Sequence, residues 1–201
     1  MNDTVALWQW RRQIADLYGA IRAAGASPAA WARWTETRRR LFATHPQSPI
    51  GADVRESYDG PLVYAYDPDL RFELEMTPAD GDDLSLEVGA DGTVVLKPFA
   101  RTDGLSDSFG GELTMYWIGG YGGGVFLPFA DATNGRETYG GGRYLLDTIK
   151  GVDLGWTADG RVILDFNYAY FPSCAYTDRF VCPLPPPENR LPDAVRAGER
   201  L

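Results

Sequence analysis

Positive charge, cysteine, histidine and long apolar runs are all scarce in this sequence. Of 201 residues, 19 are Lys or Arg against 28 Asp or Glu, a formal net charge of -9. Polyanions are held by cations that release counterions from phosphate. That balance therefore excludes nucleic acid as the expected partner and argues against an acidic membrane surface. No segment reaches the length of a membrane span. The start, "MNDTVALWQWRRQIADLYGA", lacks the early basic region, unbroken apolar stretch and small-residue cleavage site of a secretory signal. The expected location is the cytoplasm, with no membrane partner. In that compartment the only cysteines, Cys174 and Cys182, are expected to stay thiols.

A 44% hydrophobic, 13% aromatic chain of this length can bury one sizeable core, so residues 1–201 read as a single domain. Leu7, Trp10, Ile14, Leu17, Tyr18 and Ile21 recur every three to four residues, the spacing of an amphipathic helix, with Asp3 or Thr4 as its cap and Gly25 as its stop. Ser27 and Pro28 start a second helix carrying Trp31, Trp34, Leu41 and Phe42, which ends at the proline after His45. A helical hairpin over 4–44 follows. From residue 61 to 171 the pattern changes to short runs bounded by Gly, Asp, Asn or Pro, among them "LRFELEM", "TVVLKPF", "ELTMYWI", "GVFLPF" and "RVILDFNYAY". "GADGT" and "TADGR" carry the Asp-Gly signal of tight hairpins. The fold class is thus α+β, mainly β: an antiparallel barrel or sandwich-like sheet behind a helical hairpin. Residues 172–201, rich in proline, cannot supply a central strand. They predict an extended arm from Pro183 to Pro187, then a short helix after Pro192 ending near Gly198.

The glycine clusters "GGYGGG" and "YGGGRY" match neither phosphate-loop fingerprint and lead into strands, which makes them turns or bends. In "PFADATNGRETYGGGRY", Asp131, Thr133, Asn134 and Gly135 form a turn through their own side chains, and Tyr139 and Arg143 are expected on one side of the strand that follows. A buried Arg143 needs a carboxylate or an anionic ligand. On "RVILDFNYAY", alternation sets Asp165 and Asn167 on one face and Leu164, Phe166, Tyr168 and Tyr170 on the other. Cys174 and Cys182 lack the two-residue spacing of zinc knuckles and redox motifs. Three readings stand: buried thiols, a disulfide, or an open metal site shared with His45. No serine elbow, zincin helix or EF-hand loop is present.

"HPQSPI", "PFADATNGRETYGGGRYL", "LDFNYAYFPSCAY" and "CPLPPPENRLPDAVRAGE" resemble a bacterial and archaeal family called domain of unknown function 1684, from about residue 38 to the end. The resemblance implies a single domain of this size and no established activity, substrate, cofactor or catalytic residue. Its motifs fall on the two polar strands and the arm, which draws together Asp131, Thr138, Tyr139, Arg143, Asn167, Tyr170, Ser173, Glu188 and Asn189 as candidate ligand-binding residues. The arm is expected to cross the barrel mouth and bring Glu188 to Arg143. The function this favours is a small-molecule-binding barrel whose polar site, around Arg143, takes a small anionic or polar molecule. Two alternatives are a hydrolase-type enzyme using Asp131 or Glu188 with Tyr139 and Arg143, and a protein-interaction module built on the tryptophan-bearing helices.

Overall fold

The structure, a computed structural model, describes residues 2–89 and 92–201. Helix α1 spans Asp3–Ala24 and α2 spans Pro28–Thr44. Asn2, rather than Asp3 or Thr4, caps α1 by accepting from the Val5 N–H at 2.9 Å; Asp3 sits in the first turn, where a carboxylate complements the helix dipole. Gly25 ends α1 at φ 69°, a left-handed conformation that favours glycine. The Ser27 hydroxyl accepts from the Ala30 N–H at 3.2 Å, with Pro28 in the first turn of α2. The two apolar stripes face the sheet: Ile14, Leu17, Tyr18, Ile21, Trp34 and Leu41 join Tyr116, Phe126, Tyr144, Tyr168 and Tyr170 in one core cluster.

The strands are β1 (Leu62–Val63), β2 (Arg71–Pro78), β3 (Leu84–Glu87), β4 (Thr93–Asp103), β5 (Thr114–Ile118), β6 (Gly124–Phe129), β7 (Arg143–Asp147), β8 (Val162–Asp165) and β9 (Glu199–Arg200). All pairings between them are antiparallel. The main sheet runs β7-β6-β5-β4-β2-β8 with β3 added to β4. The long β4 makes this possible: one edge pairs with β3 near its start and with β2 near its end, and the other edge pairs with β5. A bridge between Tyr144 and Tyr170, just past β8, brings the two ends of the sheet together, so the sheet is a nearly closed barrel. Pro98 and Pro128 fall at register shifts, where a missing ladder donor is tolerated. The β3–β4 connection is a hairpin, although Ala90 and Asp91 of its Asp-Gly signal lie outside the described residues.

Alternation sorts the strands between two cores. Leu74, Met115, Leu127, Phe129, Leu145 and Leu164 turn away from the helices and meet Phe166, Leu113, Leu191 and Val195. A single helical turn, α3 (Ser106–Phe109), which the sequence pattern did not announce, delivers Phe109 edge-on to Phe166 with ring centroids 4.9 Å apart. Among the described residues no helix is long and apolar enough to cross a membrane.

Two expectations are corrected. β8 stops at Asp165, and Phe166–Tyr168 makes a 3-10 turn held by Asp165, whose carboxylate accepts from the Asn167 N–H at 3.0 Å. Strict alternation therefore ends there, and Phe166 and Tyr168 enter different cores. The helix expected after Pro192 does not form. Its backbone bonds elsewhere: the Asp193 N–H donates to the Phe109 carbonyl and the Leu191 N–H to the Ala130 carbonyl, leaving an extended tail that finishes as β9 beside β1. Pro186, at φ -62° and ψ 160°, has the polyproline conformation expected of the arm.

Candidate functional site

Arg143 is fully buried at the start of β7. Its Nη2 donates to the Asp131 carboxylate at 2.8 Å and to the Val195 carbonyl at 2.7 Å, while Nη1 donates to the carbonyls of Ala197 and, at 3.3 Å, Glu199. The other Asp131 oxygen accepts from the N–H groups of Thr133 at 2.8 Å and Val195 at 3.2 Å. Burial pulls the Arg143 pKa below its ordinary value, against the opposing pull of Asp131. The guanidinium thus stays buried by gripping a carboxylate and the C-terminal tail, which leaves no approach for an external anion.

The remaining candidates scatter. Thr138 is buried with its hydroxyl 2.8 Å from that of Thr133. Asn189 ties β5 to β6: its Oδ1 accepts from the Thr114 N–H, and its Nδ2 donates to the carbonyls of Thr114 and Pro128, all within 2.8 Å. Asn167 does the same between Asp67 and Asp165. The Tyr170 ring lies beneath Arg38, 5.0 Å from the guanidinium carbon. Ser173 is exposed. Tyr139 and Arg143 do not share a side. The turn at Gly140 to Gly142, closed by a Gly142 N–H bond to the Tyr139 carbonyl, separates them, and Tyr139 packs on Phe171 and toward Cys174. Glu188 is exposed and accepts from the Tyr116 hydroxyl at 2.6 Å, so it meets Tyr116 and not Arg143. His45, Cys174 and Cys182 do not form a metal-binding group, nor do any other His, Cys, Asp or Glu among the described residues.

Two cavities differ in scale. One, of about 70 Å³ between α1 and β8, is lined by Arg22, Arg71, Asp165 and Tyr168. At ~30 Å³ per water it holds solvent and little else. The other, about 490 Å³, opens where the arm passes the β2–β3 connection and strand β4, and is lined by Asp80, Asp82, Arg101, Thr114 and Glu188 over Pro78, Leu84 and Pro98. Ligand clefts of ~300–1,000 Å³ are usual. Arg101 and Thr114 are cross-strand partners, and no salt bridge engages the Arg101 guanidinium among the described residues. Beneath Glu188, burial first and then its hydrogen bond raise the Tyr116 pKa far above the ordinary phenol value, while the Arg101 charge lowers it. Tyr116 therefore remains a proton donor to Glu188 throughout the accessible pH range.

The model of the family described as protein of unknown function (DUF1684) matches residues 56–200. This chain belongs to that family. Among solved structures, the DUF1684 chain is similar to an uncharacterised protein of Haloarcula marismortui determined by NMR, with 35% identity over 83% of this chain and 90% of that one, at a TM-score of 0.57. No curated protein matches it.

Two residues that hold this DUF1684 chain together escaped the sequence reading. Glu199 is completely buried; its Oε1 accepts from Arg38 Nε at 2.6 Å, and its Oε2 accepts from the Phe171 N–H at 2.6 Å and the Tyr176 hydroxyl at 3.0 Å. Arg38 in turn lies over Trp34, Phe42 and Tyr170. Burial depresses the Arg38 pKa, but the Glu199 charge, Tyr176, Tyr18 and the Glu199 hydrogen bond together outweigh it, leaving it raised. Arg101, a third omission, had a signal in the sequence: "TVVLKPFARTD" continues past the strand end assigned to it, which would have put Arg101 on β4.

The titration of Asp165 gives a test within this region. Burial raises its pKa above the ordinary 3.8, outweighing the lowering by Asn167. A carboxyl with a raised folded-state pKa favours the fold while protonated; that contribution is full below the ordinary value and is lost as pH rises through the raised one. Asp165→Asn, neutral at every pH, is expected to shift the urea midpoint upward relative to the native chain at neutral pH. The gap should shrink toward pH ~3. A midpoint lower than the native one at neutral pH would show that the carboxylate's hydrogen bonds outweigh its desolvation.

Proposed function

We propose that this protein is a small-molecule-binding β-barrel domain and that its ligand occupies the cleft between the arm, the β2–β3 connection and strand β4. The observation that carries this is the placement of Arg101 and Glu188 on one cleft of about 490 Å³ without a salt bridge between them. Opposite charges held apart on a partly apolar floor suit a compact polar molecule bearing both an anionic group for Arg101 and a hydrogen-bond donor or cation for Glu188. Arg143 supports this reading indirectly: by fixing the tail that follows Asn189, it fixes where Glu188 stands. The unpaired thiols of Cys174 and Cys182 favour a reducing, cytoplasmic setting.

The hydrolase reading has no comparable support, because Asp131 is buried and its oxygens are engaged by Arg143 and backbone N–H groups. The helix-surface reading is weakened as well. Trp34 is 1% exposed, and of the large residues on α1 only Trp8, at 71%, stands well clear of the protein.

The test is a thermal-shift and native mass-spectrometry screen of the full chain against zwitterions such as free amino acids, set beside anions and cations of similar size. A zwitterion is expected to raise the melting temperature, and Arg101→Ala and Glu188→Gln are each expected to weaken its binding by about tenfold or more. Binding that survives both substitutions, or no zwitterion binding at millimolar concentration, would overturn the assignment.

A further inference from the structure

The arm brings the two cysteines, eight residues apart in sequence, side by side. The Cys174 N–H donates to the Cys182 Sγ at 3.4 Å, and the Tyr139 hydroxyl reaches the Cys174 Sγ at 3.8 Å. Both cysteines are free and half-buried, and Ser173 beside Cys174 is exposed, so a small molecule can reach the pair. The other charged or titratable neighbours are Tyr144, above which the arm carbonyl of Pro183 is bonded, and Lys150 near Cys182. No part of the cleft chemistry uses these groups.

We infer that Cys174 and Cys182 form a redox-active dithiol that exchanges with small-molecule disulfides, Cys174 attacking first and Cys182 resolving. The Cys174 thiolate attacks one sulfur of a disulfide RSSR, making a Cys174–SR bond and releasing RS⁻. Cys182 then gives up its proton to solvent or to the released thiolate and attacks the Cys174 Sγ. The Cys174–Cys182 bond forms as the bond to SR breaks, and a second RS⁻ leaves. In balance, two protein thiols are oxidised to one disulfide, RSSR is reduced to two RSH, and the two thiol protons end on those products.

The order of attack follows from the hydrogen bonds. Donation from Cys182 first, together with Tyr139 and backbone N–H groups, stabilises a thiolate at Cys174 and lowers its pKa to about 6 against the burial that would raise it; the same contact and burial raise that of Cys182. Lowering a thiol pKa costs intrinsic nucleophilicity, with a Brønsted slope of ~0.4–0.5. The gain in thiolate fraction at neutral pH is larger, so Cys174 remains the faster attacker. Stabilising the reduced form also makes the resulting disulfide an easily reduced one. Tyr139 acts here as a positioning residue, through Cys174.

The experiment uses the reduced full chain and glutathione/glutathione disulfide buffers, read by intact-mass and peptide mass spectrometry. Alkylation by iodoacetamide is followed in parallel as a function of pH. The inference expects an internal Cys174–Cys182 disulfide with two glutathiones released per chain, and a Cys174 alkylation midpoint near pH 6 rather than near the ordinary 9.0. Cys182→Ser should stop as a glutathione adduct on Cys174, and Tyr139→Phe should move the alkylation midpoint upward. A native chain that ends as a stable glutathione adduct, that stays reduced in fully oxidised buffer, or whose two cysteines alkylate alike with a midpoint near 9.0 overturns it. Those three readings use the native chain, so a variant that fails to fold does not blunt the test.

Discussion

Replacing Asp131 by Ala is expected to lower the unfolding free energy by about 3–5 kcal/mol, the usual cost of leaving a buried charge without its partner. Set against a typical domain stability of ~5–15 kcal/mol, that change removes roughly a fifth or more of what holds the chain folded. The reason is that Arg143, with no exposed surface, retains its charge while losing the carboxylate it is paired with, and the N–H groups of Thr133 and Val195 lose their acceptor as well. Asp131→Asn should cost less, since an amide oxygen still accepts from those N–H groups. Asp131→Ala combined with Arg143→Met should recover part of the loss, because removing both charges also removes the desolvation penalty. Urea denaturation followed by far-ultraviolet circular dichroism measures all three. A cost below ~1 kcal/mol for Asp131→Ala would be the value of an exposed pair, and would mean that the clamp does not anchor the tail.

The second large effect is expected at Glu199→Ala, again about 3–5 kcal/mol. It leaves Arg38 without a carboxylate and the Phe171 N–H and Tyr176 hydroxyl without an acceptor. Arg38 lies 5.2 Å from the Trp34 ring centroid, so the substitution should also red-shift and broaden tryptophan emission as water enters between α2 and the tail. Glu199→Gln separates the two contributions in part: its one amide oxygen can still accept from the Phe171 N–H and Tyr176 hydroxyl, while the Arg38 side loses both the charge and its acceptor. Because Asp131 and Glu199 both secure the segment from Val195 to Glu199, their losses should not add. Once one clamp is open, the other holds a tail that is already partly released, and the double Ala variant is expected to cost less than the sum. Strict additivity would show that the two clamps act on independent parts of the chain.

These two clamps also mark the limit of what the sequence discloses. Helices α1 and α2 were legible because spacing, caps and stops are local signals: Ser27, Pro28 and Gly25 mark their boundaries within a residue or two. The strands were legible for the same reason, as in "LRFELEM", where Leu74 and its neighbours Leu70, Phe72 and Met76 join one core. Closure of the sheet and the Arg38–Glu199 pair were not legible. They join residues far apart in the chain, and neither member of such a pair looks different from a surface charge in its own neighbourhood. Arg143 was half-legible: the need for a carboxylate follows from burial, and Asp131 lay in the same motif. The motif could not reveal that the rest of its hydrogen bonds go to Val195, Ala197 and Glu199, displacing both the expected helix and the expected approach of Glu188. Asp165 and Asn167 could not be placed from the sequence for a related reason: short polar side chains that satisfy local backbone groups can be fully buried, whatever face alternation assigns them.

The route of the tail also bears on how the protein is made. Strands β2 to β8 are synthesised before residues 195 to 199, so until that segment is free to pack the Arg143 guanidinium has Asp131 but none of the three tail carbonyls, and β1 has no β9 to pair with. Domains fold as units, and this one completes its core only when residues 195 to 199 are in place. A chain cut short before Val195 should therefore remain sensitive to protease under conditions in which the chain reaching Leu201 is protected.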